Sequence, residues 1–381
     1  MDIKSSSKDA HAYYVDEEIR DLGKLKVGVV GCGLVAEKEH IPGFLRLKRD
    51  VVISAVCDIN QSLATSVAKE FSIPRTYSNV SEMLRKENLD IVDICTPPQT
   101  HAPLAIEVME KGCHVLVEKP MALKLSDCDQ MNNVAQKCGL KLCVVHNEIF
   151  RPPLLKARQL VAKGDIGKLT GMRWCRLTHR GIYMSQKNHW VHRLPGGVLE
   201  ETGPHAVYTS LVFLRDVKNV DVYAKKTLEY PWVRYDYLNI LLEGENITSS
   251  IVLSHSSDCL VADVDLFGTK GVLKMDLQSM LLIHYKLNET KPMNLALSSL
   301  NAIAQTLKGV TSNAAKVVLG GQRALSSVRG HEVLIEKFVN CVINDQQPPV
   351  TGKEGQETIR VMELIVEKFH QKYNDYALSR E

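Results

Sequence analysis

The sequence predicts an α/β protein: an amino-terminal Rossmann domain with a doubly wound parallel sheet, then a carboxyl-terminal α+β domain with a largely antiparallel open sheet. Three observations predict it. Between residues 26 and 145, apolar runs alternate with helical segments, the pattern of parallel strands joined by crossover helices. The first run ends in Gly31-Cys32-Gly33-Leu34-Val35-Ala36, a glycine-rich turn between strand and helix. Beyond about residue 170 apolar runs succeed one another without helices between them, as antiparallel strands do.

Composition sets the frame. At 381 residues the chain exceeds one comfortable core, so two domains are expected. Residues 1–24 read as a polar extension, expected to be helical around Asp16-Glu17-Glu18. Residues 25–146 read as the nucleotide-binding domain, and 147–381 as a substrate-binding and oligomerisation domain. Hydrophobic residues at 45% and charged residues at 24% exclude global disorder. The formal net charge of +3 gives no footprint for nucleic acid. The ten cysteines include no CxxC pair, so neither a zinc ribbon nor a disulfide framework is indicated. The polar start has no signal core and no run reaches the length of a membrane span. A soluble, cytoplasmic protein is expected, without metal, nucleic-acid or membrane partners.

The elements follow in order. Lys26–Val30 is a β-branched strand, and in the turn after it the first glycine permits tight geometry. The second glycine lets backbone amides approach a pyrophosphate, and the small Ala36 lets the helix pack on the sheet. The strand Val51–Cys57 ends in Asp58, placed where a carboxylate accepts the ribose hydroxyls of a dinucleotide; a helix cap is the alternative. Neither Ile59 nor Asn60 offers a guanidinium for a ribose phosphate, so NAD is favoured over NADP. A helix over 61–71, a short strand at 76–77 and a helix over 81–86, with Ser81 as its N-cap, come next. The strand Ile91–Cys95 leads into Thr96-Pro97-Pro98-Gln99-Thr100-His101, a rigid loop at the same sheet edge as Gly31. A helix over 102–111 precedes Val115-Leu116-Val117-Glu118-Lys119-Pro120, where the proline must stop the strand. Lys119 is then either a surface lysine paired with Glu118 or a group in the cleft whose proton affinity is lowered beside a cationic ring. A helix over 126–138 and a strand over 140–145 lead to His146-Asn147.

These residues, with GDIGKL at 164–169, GGVLEETGPH at 196–205 and FGTKGVLKMD at 267–276, resemble the Gfo/Idh/MocA oxidoreductases, the glucose–fructose oxidoreductase and inositol dehydrogenase family. The resemblance implies an NAD cofactor and a substrate face on the second sheet. It also implies that Lys119 points at the substrate, with a cis bond before Pro120. Cofactor contacts are expected from Gly31, Cys32, Gly33, Leu34, Val35 and Asp58, from Thr96, Pro97, Pro98 and His101, and from Glu118, Lys119 and Asn147. In the family a histidine four residues after an acid is the usual acid/base; here these are His205 and Glu201, although the family acid is most often aspartate.

A helix beginning near His205 would put its imidazole at a helix start, where the dipole favours the neutral base. A satisfied structural histidine is the alternative. Substrate contacts are expected from Lys119, Arg180, Tyr183, Trp190, His192, Glu201 and His205, with Lys119, His205 and Glu201 as catalytic residues. Between Lys168 and Leu199 there is no acid, while Arg173, Arg176, Arg180, Lys187 and Arg193 occur among His179, His189 and His192. Such a face suits an anionic sugar or nucleotide sugar; a strand edge paired with acids from elsewhere is the equal alternative. The stretch 291–329 is also free of acids. One or two helices are expected there, broken at Gly309 and at Gly320-Gly321, as packing helices or else as a lid or partner surface. Two amphipathic helices, over 332–343 and 354–373, close the chain.

The function expected is hydride transfer between NAD and a secondary alcohol or ketone of a carbohydrate-like substrate, in a homodimer or homotetramer. Two alternatives stand beside it: an NAD-dependent glycosidase, and a non-catalytic dinucleotide sensor like the galactose-regulon repressor.

Overall fold

The computed structural model describes residues 23–194, 196–286, 292–320 and 330–373. The extension expected over 1–24 therefore lies almost wholly outside the described residues, as does the break expected at Gly321.

Six strands form the first sheet: β1 (Leu25–Val30), β2 (Val51–Cys57), β3 (Arg75–Tyr77), β4 (Ile91–Ile94), β5 (His114–Val117) and β6 (Leu142–Val144). Their order is β3-β2-β1-β4-β5-β6, parallel throughout. The order reverses between β1 and β4, so the crevice for a ligand opens at the carboxyl ends of these strands. Both faces are covered, by α1 (Ile41–Arg46), α2 (Gln61–Phe71), α3 (Val80–Lys86), α4 (His101–Glu110) and α5 (Leu125–Cys138). The strands are accordingly apolar on both sides; Ile91, Val92, Ile94, Val115, Leu116 and Val117 are fully buried. The N-cap of α3 is Asn79, whose side chain accepts from the Glu82 amide, and not Ser81 as expected. Ser81 Oγ instead donates to Glu107 on α4.

The second sheet has seven strands: β7 (Leu169–His179), β8 (Asn219–Lys225), β9 (Tyr237–Glu243), β10 (Thr248–Ser257), β11 (Val261–Gly268), β12 (Gly271–Asp276) and β13 (Leu281–Lys286). The order is β13-β12-β11-β7-β10-β9-β8, antiparallel except between β7 and β10. Alternation is clear in β8, where Val220, Val222 and Ala224 are buried between exposed neighbours. On the inner face lie α6 (Pro152–Ala162) and α7 (Val198–Leu211).

Helices α8 (Pro292–Gly320), α9 (His331–Ile343) and α10 (Gly352–Lys372) complete the fold. The chain does not break at Gly309, which lies inside α8. A Cβ there would come within 2.5 Å of Leu281 Cδ2, so this glycine serves close approach of the helix to β13. Helix α9 returns to the first domain, where Ile335 packs over Gly43. Helix α10 begins with a capping box, Thr351 with Glu354, and buries Val361, Met362, Ile365 and Phe369 beneath the second sheet.

Candidate active site

The ends of β1, β2, β4 and β5 open into a cavity of about 1300 Å³. Gly31, Gly33, Leu34, Val35, Asp58, Thr96, Pro97, Pro98, Glu118, Lys119, Tyr183, Trp190 and Glu201 all line it. Backbone conformation explains the glycines. Gly31 has φ +91°, and a Cβ on it would strike the Cys95 carbonyl at 2.8 Å. Gly33 has open space where its Cβ would be, so the loop presents bare backbone to the cavity. Asp58 accepts from the Cys32 amide at 2.8 Å and from the Asn60 amide at 2.8 Å, while capping of α2 falls to Asn60 itself. The carboxylate is thereby held at the cavity wall. The site fits a dinucleotide: a cradle without side chains for the phosphates, an acid beside it for ribose hydroxyls, and length enough to reach Lys119.

The bond between Lys119 and Pro120 is cis. Lys119 Nζ lies 3.0 Å from Glu201 Oε1 and 3.2 Å from the Glu201 carbonyl oxygen. Burial works against its charge, but Glu201 and Glu118 outweigh it and raise the lysine above its ordinary value. Without the ring of a bound cofactor beside it, Lys119 is therefore held as an ammonium. The Glu201 carboxylate in turn serves Lys119 and makes no hydrogen bond to the His205 ring.

His205 corrects an expectation. Helix α7 begins at Val198, and His205 lies two turns in. Gly197 turns the chain with φ +59°, and Glu200 and Glu201 then occupy the first turn, where acids suit the dipole. The imidazole is nonetheless held neutral, well below its ordinary pKa, by burial first and then by the Lys119 ammonium, with Arg176 adding to it against Glu148. Its Nδ1 lies 2.7 Å from the Tyr208 hydroxyl, which donates to Asn147 Oδ1 at 3.1 Å and accepts from the Glu148 amide at 3.2 Å. Tyr208 stacks on His146 with ring centroids 4.2 Å apart. Behind them Arg176 pairs with Glu148; burial raises the pKa of this acid, but Arg176, His205 and Arg151 together bring it down to about 2.

Glu118 is neither a surface residue nor the partner of the Lys119 ammonium. Its Oε2 accepts from the Lys119 amide at 2.9 Å, and its Oε1 lies 2.9 Å from His40 Nε2. His40 Nδ1 reaches Asp93 at 2.9 Å. With a carboxylate at each nitrogen, His40 is an imidazolium: burial opposes the charge, yet Asp93 raises its pKa well above the ordinary value. His331, at the start of α9, approaches Glu118 Oε1 at 3.6 Å and lines the cavity from the carboxyl-terminal half. Strand β5 therefore ends on a fixed carboxylate that orients the backbone of Lys119.

Six expected site residues are not among those lining the cavity: Cys32, His101, Asn147, Arg180, His192 and His205. His101 is fully buried, with Nδ1 2.9 Å from the Pro120 carbonyl and Nε2 2.7 Å from that of Thr96; it ties two loops together behind the cavity wall. Asn147 meets Tyr208 rather than the cavity. His192 contacts the Tyr183 carbonyl at 3.1 Å and lines a separate pocket with Arg193 and Trp232. Arg180 pairs at 2.8 Å with Asp258 on the surface. Cys32 is buried and contributes its amide only, to Asp58. Three of the five cations of the basic face are paired: Arg173 with Asp265, Arg176 with Glu148 and Arg180 with Asp258. The acids come from distant strands and loops, so they are invisible in a local count of charge.

Tyr208, Glu148, His40, Asp93 and His331 were not singled out from the sequence as site residues. Asp93 carried a signal, an acid inside the apolar run Ile91-Val92-Asp93-Ile94. Tyr208 carried another, standing three residues after His205 on a helix.

Residues 25–146 match a family model described as an oxidoreductase family with an NAD-binding Rossmann fold, and residues 154–274 match the GFO/IDH/MocA C-terminal domain. A 1-carboxy-3-chloro-3,4-dihydroxycyclohexa-1,5-diene dehydrogenase of Comamonas testosteroni is 34% identical over 38% of this chain and 36% of its own length. The chain thus spans about a third of that relative. A D-apiose dehydrogenase of Paraburkholderia graminis is 22% identical over 89% of this chain and 86% of its own. The solved structure of the WlbA dehydrogenase from Bordetella pertussis, in complex with NADH and UDP-GlcNAcA, is similar in fold with a TM-score of 0.72. It shares 20% identity, over 92% of this chain and 98% of that one.

Proposed function

This chain belongs to the GFO/IDH/MocA oxidoreductases, and from that premise we propose an NAD(H)-dependent dehydrogenase acting on a secondary alcohol, or the corresponding ketone, of a sugar-like substrate. The carrying observation is an ammonium and a neutral imidazole near enough that the charge of Lys119 lowers the pKa of His205. Lys119 is charged and fixed by Glu201 at 3.0 Å, and His205 is neutral one turn further along α7. An alcohol oxidation needs both: a base for the hydroxyl proton and a cation beside the oxygen as charge develops on it.

The roles divide accordingly. His205 receives the hydroxyl proton at Nε2, since Nδ1 is engaged by Tyr208. Lys119 stabilises the alkoxide, and Glu201 keeps it protonated and in place. Gly31, Gly33 and Asp58 hold the dinucleotide at the other end of the cavity, and Glu118 fixes the backbone at Lys119. When bound, NAD supplies the hydride acceptor. Tyr183 and Trp190 form the outer wall, where aromatic rings suit the apolar faces of a sugar. Arg173, Arg176 and Arg180 are matched by acids, which leaves Lys187 and Arg193 as the cations of this stretch that could favour an anionic sugar. The named relatives act on or bind apiose and a UDP-sugar acid, which supports a polyhydroxylated substrate of either charge.

A panel of polyols, sugars, sugar acids and UDP-sugars, followed by NADH absorbance, tests the reading. Lys119→Ala and His205→Ala should abolish turnover while NADH binding stays near wild type. Full activity in either variant removes that residue from the mechanism. Sugar release without net NADH would select the glycosidase reading instead.

A further inference from the structure

Helix α8 is folded inside out. This 29-residue helix packs against β13, the edge strand of the second sheet, and the described side chains turned inward are polar or small. Gln305 bonds both the amide and the carbonyl of His284, at 2.9 and 3.1 Å. Asn313 donates to the Ser279 carbonyl at 2.9 Å, and Gly309 seats on Leu281. The apolar face points outward: Met293 is 70% exposed, Leu300 62% and Leu307 60%, with Leu297, Ile303 and Val310 alongside. At 100° per residue these side chains fill an arc of about 140°. Scattered exposed hydrophobics need no explanation, but an ordered stripe along a whole helix marks a surface meant to be covered.

Charge identifies the cover. Residues 291–329 contain no Asp or Glu, but five basic residues: Lys291, Lys308, Lys316, Arg323 and Arg329. Lys308, exposed at the border of the apolar arc, is placed to carry its ammonium outward past the stripe. A second copy of α8 would offer no acid to Lys308, because the helix contains none. An anionic lipid surface matches both features, taking the apolar arc into the boundary between headgroups and acyl chains while its phosphates meet Lys308. No described helix is long and apolar enough to cross a membrane, so the geometry is in-plane. We infer that α8 is a membrane-surface helix that attaches this protein peripherally to an anionic lipid bilayer. The expectation of no membrane partner, drawn from the lack of a spanning segment, is thereby revised; the inference does not depend on the catalytic reading.

The full chain is mixed with phosphatidylcholine vesicles, alone or with about a third phosphatidylglycerol, and floated through a density gradient. The protein should float with the anionic vesicles and largely stay behind with the neutral ones, and salt should weaken the binding. Leu300→Gln/Leu307→Gln should reduce the floated fraction at least about tenfold. Lys308→Glu, which keeps the apolar stripe, should weaken binding to anionic vesicles alone. Both variants retain wild-type melting and NADH binding if the helix only attaches the protein. Equal binding to both vesicles, or binding to neither, overturns the inference. So does a dimer in solution that Leu300→Gln/Leu307→Gln dissociates, which would assign the stripe to a second copy.

Discussion

Lys119→Met separates the catalytic role of this residue from its structural one. The substitution keeps an unbranched apolar stem and removes the ammonium, leaving the Glu201 carboxylate without its cation. The charges lie 3.0 Å apart, with side chains only 11% and 17% exposed. At an effective dielectric of about 20 their attraction is about 5 kcal/mol before desolvation is subtracted. Removing one member of a buried pair costs about 3–5 kcal/mol, largely because the other charge is stranded. Glu201 keeps some contact with water, so the lower end, about 3 kcal/mol, is expected for Lys119→Met. The double variant Lys119→Met/Glu201→Gln strands no charge and should recover most of that loss, while turnover stays at least about a hundredfold down in both. Urea unfolding gives the stabilities, and NADH absorbance gives the rates. A single variant as stable as wild type would show that the pair is not the buried contact described. A double variant with near-normal turnover would refute the role of Lys119.

Three further predictions follow from the same geometry. Tyr208→Phe deletes the hydroxyl at His205 Nδ1 and should lower kcat about tenfold with little change in KM; a fall in thermal stability with unchanged kcat would make Tyr208 purely structural. Asp58→Ala should weaken NADH binding at least about tenfold, measured by fluorescence titration, and narrow the preference over NADPH; an unchanged affinity would return Asp58 to a local loop role. His146 and His255 are both held down to about 3 by burial. They are neutral when folded and take up protons on unfolding below about pH 6.5, so stability is lost as pH falls through the window from 6.5 toward 3. With two such groups the slope approaches about 2.7 kcal/mol per pH unit near its middle, and His146→Asn should roughly halve that part of it.

The first domain was legible because its information is local. Gly31, Asp58 and the Thr96-Pro97-Pro98 loop are each dictated by backbone geometry at a strand end, and spacing along the chain reveals such positions. The antiparallel character of the second sheet was legible for the same reason, from strands that succeed one another. What could not be read were pairings between distant segments. Arg176 finds Glu148, Arg180 finds Asp258 and His40 finds Asp93 only after folding. His205 was expected to be neutral through a helix terminus, and it is neutral through burial and Lys119; the state was legible and its cause was not. The periodicity of α8 was visible in Leu297, Leu300 and Leu307, but periodicity does not say which face meets the protein. Gln305, Gly309 and Asn313 decided that by fitting the edge of β13.

The central claim is NAD-linked oxidation of a sugar-like alcohol at Lys119 and His205. It is tested most directly by single-turnover NADH formation with a substrate carrying deuterium at the reacting carbinol carbon, chosen from the polyol, sugar and UDP-sugar panels. The account predicts deuterium delivered to the nicotinamide ring, a slower step than with protium, and loss of that step in Lys119→Ala despite normal NADH binding. Deuterium retained in the product, or released to water, would contradict it.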